Sequence, residues 1–358
     1  MSNPGLDTFR GCLLGGALGD ALGYPVEFIN AAQIGERFGA QAPVQLTFDG
    51  SPLARISDDT QMTLFTAEGL IRAKQRMAGK GICHPPTMMA FALLRWYETQ
   101  GGVVARSASE RGWLVDDPRL QSRRAPGNTC MSALRALAAG NPGAELPTVE
   151  RPPNDSKGCG AVMRVAPCGL GVDRREVAFE LARDNGVITH GHPSGYLSAG
   201  YLASVVWDLA RGSSLAEAMS CADELLAAER GHEELSGAIA RARAVARRGP
   251  PDVAAIESLG GGWTGEEALA IALLCASTFD EREPRAVEQA LWRAAAHSGD
   301  SDSTAAITGN LLGTMLGVAA LPARWLDVLE LRDVIDRIAS DLYASLIRNE
   351  VLDDYPGN

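Results

Sequence analysis

Two short stretches hold most of the chemistry in this 358-residue chain. His297-Ser298-Gly299-Asp300-Ser301-Asp302-Ser303-Thr304 interleaves two carboxylates with hydroxyls, and Ser57-Asp58-Asp59-Thr60 does the same far upstream. Neighbouring carboxylates repel unless a cation or hydrogen-bond donors stand between them. Clustered hard oxygens suit Mg²⁺, Mn²⁺ or Ca²⁺ better than soft metals. Neither stretch can close a coordination sphere alone. Together they offer a ligand set for one or two divalent ions, and a pair of metals roughly 3.5–4 Å apart is what such a set can hold. The plainer alternative is that each Asp caps a helix, where exposed N–H groups and the dipole favour a negative charge. That accounts for one Asp per stretch better than for two.

Three further patterns carry less information. In Ser156-Lys157-Gly158-Cys159-Gly160 the glycines would let backbone N–H groups approach a phosphate, with Lys157 adding charge. The P-loop spacing is absent, and a simple turn uses the same residues. Thr189-His190-Gly191-His192 lacks a Cys or Glu at zinc spacing and reads as a hydrogen-bonding His at the start of a helix. Glu27 is a lone acid within Tyr24-Pro25-Val26-Glu27-Phe28; by itself such a residue reaches solvent or pairs with an Arg. No nucleophile elbow or Cys–His arrangement supports a covalent hydrolase.

These groups need elements to hold them. Gly11, Gly15, Gly19 and Gly23 recur every four residues in an expected helix over 9–23, capped by Asp7-Thr8, and Gly309, Gly313 and Gly317 repeat the device. A glycine stripe costs helix propensity, so a closely packed backbone should compensate. Two central helices are therefore expected to pack closely, with function at their ends. Further helices are expected over 59–77, 128–139, 174–184, 194–209, 215–229, 233–247, 266–278, 285–296 and 332–352. Residues 40–56, 103–125 and 142–153 read as loops, and 260–265 as a turn. Strand-type alternation is scarce and no linker stands out, which gives one compact, nearly all-α domain over 1–358. The charge-free run 303–323 is long enough to raise the question of a membrane span, but its Thr308, Asn310, Thr314 and glycines fit a central soluble helix instead.

Composition bounds the partners. The chain is 22% charged and 46% hydrophobic, an ordinary globule, and its net charge of −11 argues against an extended nucleic-acid or anionic-membrane surface. Seven cysteines without paired spacing, among them Cys12, Cys130, Cys168, Cys221 and Cys275 in apolar or small-residue contexts, read as reduced, buried thiols of a cytoplasmic protein. Met1-Ser2-Asn3-Pro4-Gly5 does not begin a secretory signal. Oligomeric state leaves no trace in the sequence.

Taken together, FRGCLLGGALGDALGYPVEF at 9–28, SDDTQM at 57–62, GNTC at 127–130, SKGCGAVMRVAP at 156–167, THGHPSGY at 189–196 and SGDSDSTAAITGNLLG at 298–313 resemble the ADP-ribosylglycohydrolase family over nearly the whole chain. The resemblance implies an all-α fold with two Mg²⁺ or Mn²⁺ ions in a cleft. Ser57, Asp58, Asp59, Asp300, Asp302 and Ser303 match the family's metal ligands; many relatives carry Thr where this chain has Ser57, Ser301 or Ser303. Ser156 to Gly160, including Lys157, Gly158 and Cys159, match a loop for the diphosphate or distal ribose, and His190 matches a ligand-contacting histidine. Glu27 matches a glutamate near the metals. The implied reaction removes ADP-ribose from an acceptor, arginine on a protein being the first expectation. Alternatives are serine, a nucleobase or a small ADP-ribosylated metabolite, or an ADP-ribose binder without catalysis. Glu27 or Asp302 would transfer the proton, and Asp58 or Asp59 would polarise ribose hydroxyls. Trp263 and the 103–125 loop are candidates to stack adenine.

Overall fold

The computed structural model describes residues 3–48, 50–104, 112–140 and 145–357. The three expected loops therefore fall partly outside the described residues, at 49, 105–111 and 142–144. Among the described residues the regular elements are helices, accompanied only by isolated bridges such as Ala54 with Leu329 and Gly158 with Thr264.

The first helix, Leu6–Gly23, and the acidic helix, Ser301–Leu316, form the central pair. They run antiparallel, and the glycine stripes are where they touch. A Cβ at Gly11 would lie 2.2 Å from Gly313 O, at Gly15 2.4 Å from Gly309 O, at Gly19 2.0 Å from Ala305 O and at Gly23 2.3 Å from Ser301 O. No side chain larger than hydrogen fits between these backbones. The expected contact is therefore present, and it sets the C-terminal end of the first helix against the N-terminal end of the acidic one. Leu13, Leu14, Leu18 and Leu22 are buried on the remaining sides of the first helix. Asn310 donates to Cys12 O at 2.9 Å, while Thr308 and Thr314 hydroxyls bond the carbonyls of Thr304 and Asn310. These polar groups of a nearly charge-free helix are thus paired within the protein, as buried polar groups generally are.

Around this pair pack Asp58–Lys80, Pro193–Leu209, Gly265–Ser277, Ala286–Ala295 and Arg332–Leu346. Buried Glu68 on Asp58–Lys80 bonds Arg72 and Arg95 at 3.0 and 2.9 Å, a core ion network. Several boundaries differ from expectation. The first helix starts at Leu6 with no side-chain cap, so Asp7 lies inside its first turn instead of capping it. The acidic helix stops at Leu316 because Gly317 turns to φ 77°. Helices Ala31–Phe38 and Pro85–Thr99 were not anticipated. Cys12, Cys130, Cys168 and Cys275 are buried free thiols as expected, but Cys221 is half-buried. No helix of the described residues is long and apolar enough to cross a membrane.

Candidate active site

The two acidic stretches each begin a helix. Ser57 caps Asp58–Lys80, its hydroxyl accepting from Asp59 N at 3.2 Å, and Asp300 caps Ser301–Leu316, accepting from Ser303 N at 3.3 Å. Capping therefore accounts for Ser57 and Asp300. It leaves Asp58, Asp59 and Asp302, all buried in first turns, without an explanation in helix stability alone.

The glycine contact brings the stretches together. The first helix passes into the turn Tyr24–Val26 and delivers Glu27 beside them. Glu27, Asp58, Asp59, Asp300, Asp302 and Ser303 line one cleft of about 540 Å³ with Gly158, Cys159, Gly160 and His190. Burial first, then the neighbouring Asp300 and Asp58, push the Glu27 carboxyl up to about 8. Burial raises Asp58, Asp59 and Asp302 well above the usual carboxylate range, and mutual repulsion adds to it. Glu27 Oε2 and Asp59 Oδ2 are buried without a hydrogen-bond partner. Among the described residues no three of these acidic, His or Cys side chains close into a ready-made cage. They line a common cleft instead, with acceptor oxygens left over and buried carboxylates in excess. A hard divalent cation supplies what such a donor set lacks, so the residues fit one.

The loops around the acids are held by backbone bonds. Asp300 N donates to Gly261 O at 2.8 Å, and Cys159 N donates to Trp263 O at 3.1 Å. The Gly260–Gly261–Gly262 turn thus ties the glycine loop to the acidic one. It needs glycine where Gly260 and Gly262 take φ 123° and 79°. Cys159 Sγ donates to Asp300 Oδ2 at 2.8 Å. Trp263 stacks on Phe28 with centroids 6.2 Å apart, both side chains exposed at the cleft.

Some expected residues stand elsewhere. Ser57 is fully buried and does not line the cleft, where its neighbours do. Ser156 also stands behind the lining, bonding Gly158 N and Thr129 Oγ1. The Lys157 ammonium is engaged by Glu234 and Glu266, at 2.6 and 3.2 Å, and is not part of the cleft. The exposed cation that does line it is Arg123, which has no ion pair among the described residues.

Asp20 was not anticipated. Fully buried in the first helix, it accepts from Ser57 N at 2.9 Å and from Thr60 N at 3.1 Å, and so fixes the start of the Asp58–Lys80 helix. Burial raises its carboxyl to about 6, against those hydrogen bonds. The signal was available: Asp20 is the lone charge between Gly11 and Tyr24. Gly127, Asn128 and Thr129, present in a quoted motif but given no role, also line the cleft, and Gly127 N bonds Asp58 Oδ2 at 3.3 Å.

The chain is similar to known proteins over nearly its whole length. A protein of Archaeoglobus fulgidus described only as uncharacterized is 26% identical over 346 residues, covering 94% of this chain and 96% of its own. The ADP-ribosyl-[dinitrogen reductase] glycohydrolase of Rhodospirillum rubrum is 26% identical over 341 residues, covering 93% of this chain and 94% of its own. A solved structure described as an ADP-ribosylglycohydrolase-related protein complex superposes with a TM-score of 0.65 at 25% identity, covering 96% of this chain and 99% of its own. The family model for ADP-ribosylglycohydrolase matches residues 1–351, and the chain accordingly belongs to that family of enzymes, which cleave linkages to ADP-ribose.

Proposed function

We propose that this chain is a divalent-metal-dependent hydrolase that releases ADP-ribose from a modified arginine side chain. The observation that carries the reading is the set of five carboxylates from three separate segments lining one cleft, with Glu27 Oε2 and Asp59 Oδ2 unpartnered. A carboxylate-rich cleft suits a cationic guanidinium as the leaving acceptor. Its volume suits a nucleotide-sized ligand. The exposed Phe28 and Trp263 rings offer an aromatic face to adenine, Trp263 being the residue of the two expected from the sequence. The diphosphate would lie along Gly158 to Gly160, where Arg123 and not Lys157 is the cation free to approach it.

Two Mg²⁺ or Mn²⁺ ions held by Asp58, Asp59, Asp300, Asp302 and Ser303, with the buried Ser57 hydroxyl behind them, would supply Lewis-acid polarisation of the ribose hydroxyls and the attacking water. The chain's own part is proton transfer and orientation. Asp302 sits in a helical first turn and accepts from Ser303 N at 3.0 Å, so one of its oxygens is already held by the backbone. Glu27 lies outside any such turn, with an unbonded Oε2 and a proton affinity raised into the neutral range. That makes Glu27 the better proton carrier to the leaving nitrogen or from water, as C1″ passes through an oxocarbenium-like state.

The acceptor is the part with an alternative: the same site could cut a serine, nucleobase or small-metabolite linkage. Incubation with arginine-, serine- and DNA-linked ADP-ribose, measuring free ADP-ribose, separates these. Cleavage of the serine-linked substrate alone would overturn the arginine assignment. Melting curves with Mg²⁺ and ADP-ribose test the site itself, and no shift with either would remove it. Binding with no turnover on any linkage would mark a non-catalytic binder.

A further inference from the structure

Arg164 is fully buried, yet all its hydrogen-bond acceptors are neutral. Its Nε donates to Asn185 Oδ1 at 2.9 Å, Nη1 to Gly160 O at 2.6 Å, and Nη2 to Asn185 O at 2.8 Å and Thr189 Oγ1 at 2.9 Å. Cys130 Sγ is 3.9 Å away, and no carboxylate pairs with the guanidinium among the described residues. A buried cation without a counter-ion is costly, and guanidinium cannot neutralise itself by losing its proton. The field of Asp58 reaches it without a hydrogen bond, and Arg164 lies beneath the Gly158–Gly160 loop, where it bonds Gly160 O.

The hydrogen-bond directions show how. Guanidinium only donates, so the Thr189 hydroxyl accepts from Arg164 and keeps one proton to give. The acceptors near it are His190 Nδ1 at 2.8 Å, Gly186 O at 3.5 Å and the Cys130 thiol, whose sulfur accepts only weakly. Gly186 O already accepts from the backbone N–H groups of Thr189 and His190, at 3.1 and 3.0 Å. Both its lone pairs are used, and 3.5 Å is too long to compete. The hydroxyl proton therefore goes to Nδ1, which must be bare, and the ring proton must sit on Nε2. That nitrogen has no partner among the described residues and faces the glycine loop: a Cβ at Gly158 or at Gly160 would lie 3.2 Å from it. His190 lines the cleft.

We propose that Arg164 and Thr189 form a positioning relay that fixes His190 as an Nε2–H donor toward an anionic ligand oxygen, a diphosphate oxygen on the reading above, whose charge answers that of Arg164. Burial and the adjacent guanidinium hold His190 down at about 3, so the ring stays neutral and the tautomer alone decides what it does. His190 is then a fixed donor and not a base. Arg164 serves the same end at Gly160, whose carbonyl it draws into the core, away from an approaching anion.

The test reads the tautomer directly. The full chain labelled with ¹⁵N-histidine contains five histidines; long-range ¹H–¹⁵N correlation distinguishes the two tautomers, and His190→Gln identifies the relevant signal. We expect a neutral Nε2–H ring in the ligand-free protein, with ADP moving that resonance and adenosine leaving it in place. Thr189→Val should give mixed or reversed tautomers and weaken ADP about tenfold, while adenosine affinity stays unchanged. Thr189→Ser, which keeps the hydroxyl, should restore both. An Nδ1–H ring or an imidazolium in the wild type overturns the relay whatever the cleft binds, as does an unchanged tautomer in Thr189→Val. An Nε2–H ring in a protein that binds no ADP keeps the relay and overturns the ADP-ribose reading instead.

Discussion

A single methyl group at Gly23 should uncouple the fold from the site. The Cβ of Gly23→Ala would lie 2.3 Å from Ser301 O and 2.5 Å from Asp302 Cα, both backbone atoms that cannot swing aside. Ordinary contact begins near 3.4 Å, so the helices must part by about 1 Å at the point where Asp302 is held. Overpacking of this kind costs about 3 kcal/mol when backbone is the obstacle, and the better helix propensity of Ala returns about 1, leaving a net loss of about 2 kcal/mol. Gly79→Ala is the control: Gly79 lies in an exposed helical turn where a Cβ meets nothing, so the same chemical change should stabilise by about 1 kcal/mol. Urea unfolding measures both. A shift of about 1 Å in a catalytic group is enough to cost about 10²-fold in turnover, so Gly23→Ala should also lose most of its activity on ADP-ribosyl-arginine and most of its stabilisation by Mg²⁺. If Gly23→Ala proves as stable as Gly79→Ala, the helices do not meet backbone to backbone and the placement of Glu27 and Asp302 argued from that contact fails.

Four other outcomes follow from the site. Asp302→Ala should abolish turnover and Mg²⁺-dependent stabilisation together; an active variant still stabilised by Mg²⁺ removes Asp302 from the ligand set. Glu27→Gln should keep ADP-ribose affinity in calorimetry but slow hydrolysis by about 10²-fold or more, and unchanged turnover would end its proton-transfer role. Asp20→Asn turns an NH₂ toward the N–H groups of Ser57 or Thr60 and should cost about 2–3 kcal/mol in urea unfolding, a loss that a surface-like Asp would not show. Finally, Glu27 at about 8 and Asp20 at about 6 hold protons that the unfolded chain releases near pH 4. The metal-free native state thus binds more protons than the unfolded state, and its stability should fall as pH rises from about 5 to 8, Asp20 alone contributing up to about 3 kcal/mol. Mg²⁺ favours the ionised carboxylates, so its stabilising effect should grow across the same window; melting with and without EDTA checks both, and a metal-free stability that is flat or rises contradicts the burial of these acids.

Features that depend on short-range spacing could be read directly from the sequence. A glycine every fourth residue means backbone contact whatever the partner, and two such stripes in one chain identified each other. Acid pairs at helix starts were equally legible, because neighbouring carboxylates in one turn need something beyond capping. Charge pairing across the chain was not. Lys157 beside two glycines looks like a phosphate ligand, and nothing local shows that Glu234 and Glu266 engage it from two other helices. The Pro85-Pro86 start of a helix was overlooked for a different reason: proline signals a turn unless its position in the first helical turn, where no N–H is needed, is recognised.

Arg164 shows the same limit at its most consequential. In the sequence it is one basic residue in an apolar run, and burial alone would make it look like a liability. Only the fold brings Asn185, Thr189 and Gly160 around it, and only the count of donors and acceptors turns that cluster into a statement about His190. The acids and the glycine loop then play opposite parts in one cleft. On one side buried carboxylates collect negative charge for a cation to neutralise. On the other, a buried guanidinium bonded only to neutral acceptors projects positive charge through a hydroxyl and an imidazole toward the loop. A ligand that combines an anionic diphosphate with a ribose and a cationic acceptor matches both sides at once, whereas a uniformly anionic or uniformly cationic ligand would be repelled by one of them.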